Sequence, residues 1–110
     1  MLETKLGEFE EVILLLVGIL GDEAYAYHIA RAFENETGRK VSIGATHSAL
    51  KRLEGKGFLT SLMSEPFDER GGRRRRIFRV TAYGVRTLKS AQALRLSLWD
   101  QFPGLSTSGV

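Results

Sequence analysis

The chain has 110 residues, 43% hydrophobic and 26% charged, a balance that fits one soluble domain with a modest core, which a second copy would help to stabilise. It has no cysteine, which excludes disulfides and thiolate metal sites; His28 and His47 lack metal-ligand spacing, so neither a metal nor another cofactor is expected. The net charge of +3 hides a split: residues 1–38 carry two bases against eight acids, net −6, and residues 39–110 carry fourteen bases against five acids, net +9. An acidic first third and a basic remainder point to one face that meets a polyanion, the alternative being an unevenly charged but ordinary surface.

The apolar run Val12–Leu20 is about half the roughly 20 residues of a membrane span. Glu8, Glu10 and Glu11 precede it where a signal peptide needs basic residues, so a cytoplasmic protein without membrane contact is expected. The same acids suit the first turn of a helix running through Leu20 and ending at Gly21. Its apolar residues cover nearly the whole circumference, which implies burial on more than one side. In a domain this small the second surface is most simply another subunit, with Val12 and Leu16 as candidates.

Asp22 is placed to cap a second helix, with Glu23 in its first turn and Tyr25, Ile29, Ala32 and Phe33 at helical spacing; Gly38 ends it. A short basic turn, Gly38-Arg39-Lys40-Val41, leads to a third helix capped by Ser42 and closed near Glu54 by Gly55 or Gly57. At 100° per residue Ile43, Thr46, Ala49, Leu50 and Leu53 fall on its inner side. Gly44, Ala45, Ser48, Lys51 and Arg52 fall on the outer side, with His47 at the margin.

Phe58, Leu59 and Leu62 open an extended segment, Pro66 to Gly72 forms a polar turn, and Arg75–Val80 returns as a strand with Phe78 and Val80 on one face and Ile77 and Arg79 on the other. This hairpin carries four consecutive arginines, Arg73 to Arg76. Thr81 caps a last helix through about Gln101, ended by Pro103-Gly104. Leu88, Ala91, Leu94, Leu98, Trp99 and Phe102 form its apolar stripe. Residues 106–110 are expected to be a disordered tail.

The order helix, helix, helix, hairpin, helix is mainly α with a small antiparallel β-hairpin. It is the layout of a winged helix-turn-helix over residues 1–80, with an added C-terminal helix over 81–105 whose apolar stripe, like the apolar first helix, hints at a dimer contact. The third helix is the candidate reader of a major groove, because Gly44, Ala45 and Ser48 let its backbone come close. Lys51 and Arg52 can reach phosphates or base edges. Ser42 and the helix N-terminus offer donors to a phosphate, and Arg39 and Lys40 flank it. His47 is either a phosphate or base donor or a neutral surface histidine; His28 reads as structural. Side chains alternate along a strand, so not all four arginines can face one duplex. Arg73 and Arg74, assisted by Arg70, are the expected contacts, while Arg76 and Arg79 pair with acids or cover the core. The competing class is a winged-helix module that binds an acidic protein. No nucleophile–base pairing or phosphate loop supports an enzyme.

Several stretches resemble PadR-family transcriptional regulators: Leu6-Gly7-Glu8-Phe9-Glu10, Gly21-Asp22-Glu23-Ala24-Tyr25, the run from Thr37 to Ala45, that from Leu50 to Gly57, and Gly71-Gly72-Arg73 with Phe78-Arg79-Val80-Thr81 and Gly84. The resemblance spans about residues 6–100. His47 stands where the family usually has tyrosine, and Thr46 where a bulkier apolar residue is frequent, so either His47 takes over any backbone contact that tyrosine makes or the contact is lost. The resemblance implies a homodimeric repressor of a palindromic double-stranded operator, the last helix of each subunit packing on the first helix of the other. It also implies, in some members of the short-tailed branch, a small aromatic or hydrophobic inducer between subunits. Trp99 is placed to stack on such a compound, or to pack the dimer alone.

Overall fold

The computed structural model describes residues 6–64 and 74–105. In chain order it contains helix α1 (Glu8–Leu20), a 3₁₀ turn (Gly21–Glu23), α2 (Ala26–Thr37), α3 (Ile43–Gly55), strands β1 (Leu59–Met63) and β2 (Arg76–Val80), and α4 (Ala82–Gln101). The tail at 106–110, the polar turn at 66–72, Arg70 and Arg73 lie outside the described residues.

Local signals set most of these boundaries. Gly21 ends α1 at φ +58°, and Gly38 ends α2 in the left-handed region at φ +77° with its N–H on the Glu34 carbonyl. Ser42 Oγ accepts the Ala45 N–H at 2.9 Å, and Thr81 Oγ1 accepts that of Gly84 at 2.9 Å, so each hydroxyl caps its helix.

The start of α2 departs from expectation. Asp22 does not cap it; Asp22 and Glu23 lie in the 3₁₀ turn, and extended Tyr25 takes the cap position with its carbonyl accepting from Ile29. The cause is tertiary. The Ala24 carbonyl accepts the Phe78 N–H at 2.9 Å, which binds this segment to β2 and keeps it out of the helix.

β1 and β2 are antiparallel, in the register Leu59 to Val80 through Met63 to Arg76. The core gathers Ile13, Leu14, Leu16 and Val17 of α1, Ile29 and Phe33 of α2, Leu50 and Leu53 of α3, and Phe58, Leu59 and Phe78 of the hairpin. Burying such side chains is the main drive to fold, at about 1.5–3 kcal/mol each. Thr46, wholly buried, is satisfied through its hydroxyl, which donates to the Ser42 carbonyl at 3.0 Å.

Two expected placements are corrected here, and one is extended. Leu16, assigned to a subunit contact, is 4% exposed within the single chain and belongs to its core; Leu15 and Ile19 are the exposed apolar residues of α1. Ile43, assigned to the inner face of α3, is half exposed, because it sits at the margin of the buried arc and in the first turn. Ile77 and Phe78 are both buried, so neighbouring elements cover both faces of β2 at mid-strand.

Candidate nucleic-acid interface

The turn and α3 present the expected surface. Arg39, Lys40, Ser42, Gly44, Ala45, His47, Ser48 and Lys51 are all exposed. Arg39 lies against α2 with its guanidinium carbon 5.4 Å from the centre of the Phe33 ring. Gly44 is informative because it faces so little. A methyl group built there meets only Ser42 Oγ, at 3.9 Å, and its φ is not in the left-handed region. Neither packing nor backbone conformation within the chain calls for glycine, which costs about 1 kcal/mol against alanine in a helix.

Arg52 occupies a different position from Lys51. Its Nε donates to Glu10 Oε2 at 2.9 Å, and Lys56 Nζ donates to Glu10 Oε1 at 2.9 Å. One carboxylate of α1, only 11% exposed, thus holds the last turn of α3 through two cations. Burial pushes the Glu10 carboxyl up. The hydrogen bonds from Lys56 and Arg52, the Lys56 charge and a backbone hydrogen bond from Gly7 outweigh it and hold the group below its ordinary value. A carboxylate depressed on folding adds stability that is complete above its unfolded value, 4.5, and disappears as pH falls through the lower folded value. Urea unfolding should therefore show stability dropping below about pH 4.5, with a shallower drop in Glu10→Gln. At neutral pH that substitution is expected to cost about 2 kcal/mol, the usual worth of hydrogen bonds to a charged group.

The wing is fastened on two sides. Towards α3, Ser61 Oγ donates to Glu54 Oε2 at 2.8 Å and accepts from Arg76 Nη1 at 3.0 Å. Towards the 3₁₀ turn, Arg79 Nη2 donates to Asp22 Oδ1 at 2.9 Å, so Arg79 pairs with an acid as expected and Arg76 reaches an acid's hydroxyl partner instead. Arg74 is exposed.

From Gln92 on α4 to Leu105 just beyond it every residue is exposed, including Leu94, Leu98, Trp99 and Phe102, whereas Leu88 packs against the core and Ala91 is half-buried. Val12 is half-buried on α1. A groove of about 360 Å³ runs between α1 and α4, lined by Glu11, Leu15, Val85, Leu88, Lys89, Gln92, Arg95, Leu96 and Trp99. Arg95 Nη2 pairs with Glu11 Oε1 across it at 2.9 Å.

Sequence reading missed the Glu10 clamp. The three acids at the start of α1 were visible, but a helix N-terminus explains acids without any partner. Among the described residues no group of acids and histidines could hold a metal, and no helix is long and apolar enough to cross a membrane.

Three helices, a two-stranded wing and a long terminal helix, with a small-faced third helix beside basic groups, define a winged helix-turn-helix transcriptional regulator. Residues 14–90 match the model of the transcriptional regulator PadR-like family, and the chain belongs to that family. A PadR-like transcription factor from Bacteroides fragilis is similar, with a TM-score of 0.69 and 26% identity over 82% of each chain. A PadR-family regulator from Eggerthella lenta has a TM-score of 0.65 and 25% identity over 86% of this chain and 81% of its own. A transcriptional regulator from Clostridium thermocellum has a TM-score of 0.62 and 26% identity over 86% and 88%. No curated protein matches the chain. Members of the family are transcriptional regulators.

Proposed function

We propose that the protein is a homodimeric repressor that reads a palindromic operator with α3 and adds affinity with the wing. The observation that carries this reading is Gly44: an exposed glycine on the reading helix that the chain itself does not require, and that admits a base edge or phosphate. Ser48, Ala45 and Lys51 extend the same low face, and Arg39, Lys40 and Arg74 are placed to neutralise phosphates beside it. Arg52 belongs to the interface in a supporting way, since its guanidinium meets Glu10 at the far end of the helix.

Dimerisation is supported by the exposed stripe on α4 and by Leu15 and Ile19 on α1, apolar side chains that a second copy would cover. Two copies place two reading helices on one duplex, hence a palindrome. The groove beside Trp99, about 360 Å³ with Leu15, Val85, Leu88 and Leu96 in its lining, has room for a small molecule, which supports release by a flat hydrophobic inducer.

The test is a salt titration of operator binding. Affinity should fall steeply as salt rises, and Lys51→Ala should lower the slope of log affinity against log salt by about one for each phosphate contact removed. Binding that is insensitive to salt, or equal on random duplex, refutes the proposal and favours the acidic-protein module.

A further inference from the structure

Arg75 of the arginine run is not among the residues of the interface described above. The guanidinium carbon of Arg75 lies 4.0 Å from the centre of the Tyr25 ring, at the corner between the 3₁₀ turn and α2. Its main chain is held as well: the Arg75 N–H donates to Ser64 Oγ at 3.0 Å, and the Arg75 carbonyl accepts the Ser64 N–H at 2.7 Å. Tyr25 is itself fixed. It is nearly buried, its ring stacks on His28 at 4.2 Å, and its hydroxyl lies 2.9 Å from His28 Nε2. In the neutral ring Nδ1 donates to the Glu23 carbonyl at 3.2 Å, leaving Nε2 to accept the tyrosine proton. The corner then takes β2 at two further points, Phe78 N–H on the Ala24 carbonyl and Arg79 on Asp22.

We infer that Tyr25 is a positioning residue for DNA binding: its ring holds Arg75 against the corner and so sets the direction in which Arg74 leaves the sheet. A guanidinium laid on an aromatic face has one planar side covered and is withdrawn from phosphates on that side. Arg74 and Arg75 come just before β2, and carrying the strand's alternation back through them sends Arg74 the opposite way from Arg75. Tyr25 thus selects which arginine of the run faces outward while touching no DNA itself. The inference rests on the wing reading of the proposed function, and the experiment separates the two.

Full-length wild type, R74Q, R75Q, Y25F, Y25L, Y25L/R75Q, R74Q/R75Q and R70Q/R73Q are titrated against an operator duplex selected from a random pool, at several salt concentrations, with thermal unfolding as a check on folding. R74Q is expected to weaken binding about fivefold and to lower the salt slope by about one. R75Q and Y25L should each weaken binding by a similar or smaller factor. Y25L/R75Q should be no worse than either single variant, and Y25F, which keeps the ring, should stay within about twofold of wild type. The ranking of variant operators should not change, because α3 reads them. Additive losses in Y25L/R75Q, or no effect of a folded Y25L, overturn the inference. If Y25L does not fold, R74Q/R75Q decides. Binding equal to R74Q alone supports action through Arg74; a further loss with a slope lower by about two shows Arg75 on a phosphate and overturns it. R74Q without effect overturns this inference, and the wing reading falls with it only if R70Q/R73Q is silent as well, whereas an effective R74Q with an ineffective Y25L overturns this inference alone.

Discussion

Gly84→Ala is expected to destabilise the fold by about 3 kcal/mol, a large share of the roughly 5–15 kcal/mol that holds a domain together. A methyl group at that position lies 2.5 Å from the Phe58 carbonyl oxygen and 2.8 Å from Val80 Cγ1. The carbonyl cannot step aside cheaply. It accepts the Thr81 N–H at 3.0 Å and the Thr81 hydroxyl at 3.2 Å, and that hydroxyl also donates to the Gly57 carbonyl and caps α4 through Gly84. The connection from α3 to β1, the end of β2 and the first turn of α4 meet at this point, so the added carbon displaces α4 or breaks its cap. Gly55→Ala is the control: a methyl there meets nothing within 4 Å, and the change is expected to be neutral or mildly stabilising. Urea midpoints of the two variants check the pair. A Gly84→Ala loss under about 1 kcal/mol means that α4 can shift at little cost.

The second large effect is on assembly. Leu98→Glu together with Trp99→Glu is expected to give monomers and to weaken operator binding by at least about a hundredfold. Each half-site is then bound separately, and the gain from linking two sites is lost. Both side chains are about half exposed in the single chain, on the stretch of α4 that leaves the core. Their replacement therefore removes a contact surface without opening a cavity in the protomer. Sedimentation or light scattering reads the mass, and anisotropy on the operator reads the binding. A double variant that remains dimeric refutes this location for the interface. A monomeric variant with undiminished affinity refutes the need for two copies.

The features legible in the amino-acid sequence are those governed by neighbours along the chain. Ser42 and Thr81 announced α3 and α4 because a hydroxyl three residues before an orphan N–H needs no tertiary help to cap it. The outer face of α3 was legible for the same reason: once the helix is placed, periodicity alone puts Gly44, Ser48 and Lys51 opposite Leu50 and Leu53. Periodicity was less dependable at the margin, where Ile43 fell just outside the buried arc. It could not divide the apolar circumference of α1, whose Leu16 faces its own core while Leu15 faces out.

The sequence by itself determined the element order, the caps of α3 and α4, the charge split and the low outer face of α3, since each depends on residues within a few positions of one another. Tertiary structure decided where the cations go. Glu10 meets Arg52 from 42 residues away, and Asp22 meets Arg79 from 57 residues away. Arg75 meets a tyrosine of another element, and Ala24 lends its carbonyl to β2 and so delays α2. An arginine run looks the same in a sequence whatever lies beside it. Its charge acts outward or inward according to which ring or carboxylate the fold brings within a few ångströms, and chain spacing carries no record of that distance.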